Sequence, residues 1–339
     1  MRAGKAIKSV VFRKLALAAV ICAIGSTPAV AQFTAATILE IEVQSLVAYT
    51  VDGFDTSKFA TDPNRTTSVA PRNFGFNILV GDIAAVNGRP ARGTMVVQQR
   101  AIALTPTANP GQAEADTVRT SVSEALYEIQ QADGTPVGNI HTLGFTGGVP
   151  PVGALEGIGN FAIAGGTGAF LGARGQMHAR SVPIPIRNAS VTEDPARRRM
   201  HGGGRVFFVF QLLPLTRPEI VTSPSGPAIF HADFSPVTAA RPARRGEILI
   251  IRATGLGPTR PGVNPGQSFP LDAAQEVNSP VEVSVAGRAA EVVNRIGWPG
   301  LTGSYRVDIR VPDGISRGMA TVQMSAAWIT GPDVEIPIQ

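Results

Sequence analysis

Hydrophobic and polar positions along this chain alternate with a period of two, and a period of 3.6 is nearly absent. The alternation is cleanest toward the C-terminus. Val281, Val283 and Val285 lie on one side, with Glu282 and Ser284 on the other. Tyr305, Val307, Ile309 and Val311 oppose Arg306, Asp308 and Arg310, while Val322, Met324 and Trp328 share a third apolar face. Each pattern predicts a strand with one buried face. The run from Glu247 to Thr254 is apolar on both sides, as a central strand would be. Adding Ile229–Phe234, Ala290–Ile296 and Val334–Ile338 gives about seven strands in about 110 residues, the size and cadence of an immunoglobulin-like sandwich.

The first part of the chain is less regular. Thr37–Val51 begins with partial alternation and ends apolar, a strand with room for a bulge. Phe74–Val86 predicts a bent strand or strand pair before the Asn87-Gly88 turn, and Thr94–Leu104 a strand of mixed faces. Val118–Gln130 fits a strand and an amphipathic helix equally. Asp133-Gly134 marks a second hairpin turn, before a strand at Val137–Phe145. Phe54–Asn73, Thr105–Ala115 and Gly147–Gly153 are expected loops. Arg187–Gly204 is a polar excursion holding Arg197, Arg198 and Arg199; a solvated loop tip is favoured there over an anion site. Arg205–Leu213 is apolar on both faces, as a closing strand would be, and Pro214–Pro227 predicts a proline-stiffened spacer.

Between these lies the most distinctive stretch, Gly165-Gly166-Thr167-Gly168-Ala169-Phe170-Leu171-Gly172-Ala173-Arg174-Gly175. A phosphate-cradling loop would need a helix to start at once. Residues 176–186 instead carry Pro183 and Pro185 and no helical period, so a glycine-rich hairpin is expected. From Asn160 to Gly175 the sequence resembles the GGTG segment of dirigent and allene oxide cyclase-like proteins, and Gly81-Asp82-Ile83-Ala84-Ala85-Val86-Asn87 is similar to another segment of that family. The resemblance implies an eight-stranded antiparallel β-barrel, in which Val118–Gln130 would be a strand. The pocket residues that define activity in the plant members have no counterpart here, so it implies the barrel and not the activity. Pro227–Asp233, Ala253–Pro258 and Tyr305–Pro312 resemble a C-terminal module of secreted bacterial proteins related to the IPT/TIG immunoglobulin-like domains. That resemblance implies an accessory module without chemistry of its own.

The expectation is therefore an all-β chain: leader 1–31, barrel 32–213, linker 214–227, sandwich 228–339. In the leader, Arg2, Lys5, Lys8, Arg13 and Lys14 precede an apolar core from Leu15 to Gly25 and an Ala-x-Ala cleavage site ending at Ala31. That core is too short to span a bilayer. Its removal changes the electrostatics. The whole chain has 30 Lys plus Arg against 25 Asp plus Glu, and all five basic residues of the leader leave with it, so the mature chain is neutral. The high pI is then no argument for nucleic acid. Cys22, the single cysteine, also leaves, so an exported chain would hold together by burial without disulfides. Secretion or periplasmic residence is expected, without stable membrane insertion.

Candidate chemistry is thin. His141, His178, His201 and His231 form no His-x-x-x-His pair, so neither a metal nor another cofactor is expected. A carboxylate inside the barrel, from Asp82, Glu124 or Glu128, would be desolvated and fit for acid–base work, with Arg100 or Arg174 as its partner. Against this, Asp82 would sit in a turn, the glutamates would face solvent and Arg174 would brace the glycine loop. The ligand-binding set singled out is Asp82, Arg100, Glu128 and Arg174. Phe54, Phe74, Phe76, Phe145, Phe161 and Phe170 are expected in the core. Trp298, beside Pro299-Gly300, fits an exposed carbohydrate or partner contact, or packing at the sandwich end. Three functions remain open: non-enzymatic binding of a small apolar ligand or cell-envelope component, a barrel acting on a small apolar or phenolic substrate, and a structural or adhesive spacer.

Overall fold

The computed structural model describes residues 36–52, 75–102, 120–146, 158–189 and 193–339. The leader and the loops expected at Phe54–Asn73, Thr105–Ala115 and Gly147–Gly153 lie outside them. The chain is all-β. Its barrel strands are β1 (Thr37–Asp52), β2 (Gly75–Val86), β3 (Arg89–Ile102), β4 (Thr120–Gln131), β5 (Pro136–Thr146), β6 (Ile158–Gly168) and β7 (Arg174–Ile184). A short β8 (Arg187–Asn188) pairs parallel with β1, and β9 (Gly204–Leu213) is the eighth barrel strand. The order β2-β3-β4-β5-β6-β7-β9-β1 closes through β1 on β2, antiparallel throughout.

Alternation decides what fills the barrel. Leu39, Ile41 and Val43 of β1, Met95 and Val97 of β3, Tyr127 and Ile129 of β4, and Phe210 and Leu212 of β9 form one buried cluster. The Tyr127 ring meets Phe210 edge-on, with centroids 4.9 Å apart. Phe161 and Phe170 join this core as expected. Bulges in β1 after Glu42 and Gln44 switch the inward set from Val43 to Leu46, with Ser45 at φ 51°.

The hairpin expected at the glycine-rich stretch is present, but Gly165, Gly166 and Thr167 are not its turn. They extend β6 alongside β5, Gly166 opposite Ile140 and Thr167 opposite Asn139, and the turn spans Ala169–Ala173. Gly166 is needed for close approach: a Cβ there would overlap the carbonyls of Phe170 and Asn139.

The second domain is one curled sheet. Its strands are β10 (Glu219–Ile220), β11 (Thr222–Ser223), β12 (Gly226–Pro227), β13 (Ile229–Phe230), β14 (Ile248–Thr254), β15 (Thr259–Arg260), β16 (Glu276–Val277), β17 (Val281–Val285), β18 (Arg288–Gly297), β19 (Ser304–Arg310), β20 (Gly318–Ala326), β21 (Ile329–Thr330) and β22 (Val334–Ile338). The main path is β10-β14-β19-β18-β17-β20-β21, with β11 and β12 paired separately. The alternating valines and isoleucines of β17, β19 and β20 face a shared core. Two expectations change. Residues 214–227 are no free spacer, because Glu219 and Ile220 pair with β14 and Ile220 is buried. Trp328 leaves the face of Val322 and Met324, because β20 stops at Ala326 and a turn with Ala327 at φ 49° and Trp328 at φ 63° breaks the period.

That turn joins the two domains. Ala327 and Ile329 are buried in the barrel's hydrophobic cluster, and Trp328 packs against it. The β2–β3, β4–β5 and β6–β7 turns all lie at the barrel end that the second domain covers. Arg89 pairs with Glu282, Gln131 donates to the Asn278 carbonyl, and Ala169 lies against Gly257.

Truncating Ile329 to Ala should cost about 2–4 kcal/mol. Calorimetry of residues 32–339 should show barrel and second sheet melting together at a lower temperature, not as two transitions with one unmoved. A second expectation concerns His178 on the outer face of β7, opposite Val209. It is buried, its Nε2 finds no hydrogen-bond partner among the described residues, and burial holds its pKa below the ordinary value. The unfolded chain therefore takes up this proton first, below about pH 6.5. The His178 contribution is intact at neutral pH and diminishes as pH falls below that value. Urea midpoints at pH 7 and pH 5 should show the loss, and His178→Leu should reduce it.

Candidate functional site

The four residues singled out from sequence do not converge. Asp82, Thr94 and Glu128 stand in one register row on β2, β3 and β4, on the face opposite the inward Gly81, Met95 and Tyr127. Asp82 and Glu128 are thus two strand spacings apart, about 10 Å, on the outer wall. Arg100 is exposed, six residues along β3 from Thr94. Arg174 is exposed at the start of β7 and donates through Nη1 to the carbonyls of Ala164 (2.9 Å) and Ala173 (3.2 Å), bracing the glycine hairpin. No carboxylate of this set enters the barrel.

Asp82 has other partners. The excursion after β8 folds back as a 3-10 helix, Pro195–His201, capped by Asp194, whose Oδ1 accepts from Ala196 N at 2.9 Å. This brings Arg198 and Arg199 onto Asp82. Arg198 bonds it through Nη2, and Arg199 donates through Nε at 2.7 Å and Nη2 at 2.6 Å. The Asp82 carboxylate raises the Arg199 pKa further. Arg187 forks onto Glu193 at 2.6 and 2.7 Å and reaches the Gly202 and Arg198 carbonyls, tying down both ends of the excursion. Arg198 is buried, so the expected solvated tip is instead a folded strap on the wall of the barrel. Two of the three consecutive arginines are neutralised within the chain.

The barrel interior changes character along its axis. Toward the covered end the described inward side chains Ile83, Met95, Tyr127, Ile129 and Val137 belong to the apolar cluster. Farther up, Gln99, Ser123 and Gly144 stand in one row and Ala125 and Thr142 in the next. Ser123 and Thr142 are buried, and Thr142 Oγ1 finds no hydrogen-bond partner among the described residues. A buried hydroxyl without a partner calls for water or a ligand group.

A concavity lies where the two domains meet. A cleft of about 770 Å³ is walled by the glycine hairpin on one side and by loops of the second sheet on the other. Leu171, Leu215, Val263 and Tyr305 supply apolar surface, and Arg217, Glu219, Asn264 and Gln267 polar groups. Leu171 is 59% exposed and Leu215 70%, unusual for leucines at a domain junction. Tyr305 is fixed by its hydroxyl, which donates to the Gly257 carbonyl at 2.6 Å, and burial raises its pKa. Gly168, Gly255, Gly257, Gly262, Gly266 and Gly303 leave much of the wall as bare backbone. Sequence reasoning missed this site. The available signals were Leu171 between turn glycines and Leu215 between prolines, two leucines with no strand face to join.

The strap gives a direct test of which charges matter. Removing the carboxylate with Asp82→Ala strands the buried Arg198 and should cost about 2 kcal/mol, below the range of a fully buried pair because both groups keep some water. Arg199→Ala, at a mostly exposed side chain, should cost under about 1 kcal/mol. Urea denaturation of both variants measures the contrast; equal losses would show the ranking to be mistaken.

Compared with protein-family models, curated proteins and solved structures, the chain matches none.

Proposed function

We propose that this is an exported, non-enzymatic binding protein. Its ligand is a small molecule with an apolar body and a polar edge, held in the cleft between the glycine hairpin and the second sheet. The observation carrying this reading is the cleft itself. Its volume of about 770 Å³ suits a drug-sized ligand, and its mixed lining matches sites that bury an apolar body and orient a few polar groups. The packed lower barrel then serves as a rigid wall for the hairpin. The leader and the neutral mature chain favour a secreted or periplasmic setting, where a free small molecule or a cell-envelope component would be met.

A second reading places an apolar or phenolic molecule in the upper barrel, in line with the dirigent-like segment. Its specific support is the unpartnered Thr142 hydroxyl.

Melting the mature chain with a panel of phenols and fatty-acid derivatives separates these readings. A ligand at a hundred times its Kd stabilises by about 2.7 kcal/mol, several degrees for a chain of this size. Leu171→Asp, at an exposed position, should abolish the shift without lowering the melting temperature of the free protein. Should Leu171→Asp keep the shift and Thr142→Val remove it, the ligand belongs in the barrel, and turnover and product stereochemistry then decide between carrier and enzyme. No shift with any compound leaves the spacer role.

A further inference from the structure

Phe234 combines two features that folding alone disfavours. Its backbone is left-handed, φ 62°, a region that suits glycine or asparagine and disfavours a bulky side chain. Its ring is also 53% exposed, so much of its apolar surface stays in water. The turn does not need the ring. Phe234 N–H donates to the His231 carbonyl at 2.9 Å, and His231 N–H to the Ser235 carbonyl at 2.9 Å. Asp233 accepts from the Ser235 hydroxyl (2.6 Å), the Ser235 N–H (3.0 Å) and Arg241 Nη1 (2.9 Å). Below, the buried His231 is held through Nδ1 by Glu247 Oε1 at 2.6 Å and through Nε2 by the Arg241 carbonyl at 3.2 Å. This polar network holds the backbone whatever occupies position 234.

The ring is surrounded by a fixed surface. Trp298, after β18, lies 6.3 Å away, its plane tilted by 60°. The Arg306 guanidinium, on β19, sits 5.5 Å from the Phe234 centroid. Arg306 is itself pinned by two bonds to Asp308, at 2.8 and 2.9 Å, and Asn294 Nδ2 donates to the same carboxylate at 3.3 Å. Two aromatic rings thus adjoin a planar cation and an amide whose positions are already set.

We propose that Phe234, Trp298 and Arg306 form a surface site for a neutral glycan segment. The rings offer apolar area to the C–H faces of a sugar, and the pinned guanidinium and the Asn294 amide offer bonds to adjacent hydroxyls. A purely apolar partner would strip water from these polar groups without replacing it. A polyanion would find the local cations matched already, Arg306 by Asp308 and Arg241 by Asp233. The site is separate from the cleft, and neither reading depends on the other.

The test uses the full mature chain and a panel of neutral hexasaccharides: α- and β-glucans, chitohexaose and β-mannohexaose. Calorimetric titration and tryptophan fluorescence read binding; Trp298 and Trp328 are the chain's two tryptophans. At least one hexasaccharide should bind and shift the fluorescence. Phe234→Asn, which suits a left-handed backbone, should weaken binding at least tenfold while the melting temperature holds or rises. Arg306→Lys, which keeps charge and loses the planar fork, should also weaken it. The proposal fails if no hexasaccharide binds, if Phe234→Asn binds equally well, or if that variant melts several degrees lower, which would make the ring a packing element. Tighter binding of dextran sulfate than of any neutral hexasaccharide would also overturn it.

Discussion

Burial of Ala327 and Ile329 in the hydrophobic cluster of the barrel is the interaction on which the arrangement of this molecule depends. A barrel solves the problem of sheet edges but leaves two open ends, and each needs a cover if apolar side chains reach it. Here the cover at one end comes from another domain of the same chain. Ala327 in the turn after β20 and Ile329 at the start of β21 are apolar, and both are buried in the barrel's cluster. The second sheet is therefore structural for the barrel, and not an appendage on a flexible tether.

The remaining geometry depends on that seating. Toward the ends of β1, β3 and β5 the inner wall changes, and the buried Ser123 and Thr142 stand where leucine and valine line the covered half. Seating the hairpin on the second sheet also creates the cleft, since Leu171 and the loops around Gly257 come to face each other across a gap. The strap made by residues 187–189 and 193–204 works in parallel on the outer wall. It is held chiefly by ion pairs to Asp82 and within the strap, where the covered end joins apolar burial to the Arg89–Glu282 pair.

How far these features were legible varied with their range. Strands and hairpin turns are short-range properties. Asn87-Gly88 adopts positive φ at both positions, as such a pair should, and the valines of β17 face inward as their spacing requires. The glycine segment was legible as a hairpin but not in its register, because Gly166 serves a neighbouring strand instead of a turn. Sequence spacing does not show which carbonyl a glycine must pass. The candidate residues fared worse. Asp82 is a partner to arginines 116 and 117 positions away, and no local pattern announces that pairing. Trp328 followed the strand period by count, and the turn that removes it from that face is decided by where the barrel lies.

By itself the sequence determined the all-β class, the places where most strands begin and end, and the buried face of β17 and β19. These come from the two-residue repeat and from glycine, proline and asparagine at the turns, all within a few residues of one another. Only the tertiary structure decided that the domains share a core, that the arginine-rich excursion is a strap, and that a cleft opens between the hairpin and the second sheet. Those outcomes depend on side chains far apart in sequence being brought within bonding distance. That is a property of the closed barrel and the curled sheet together, and no stretch of sequence carries it alone.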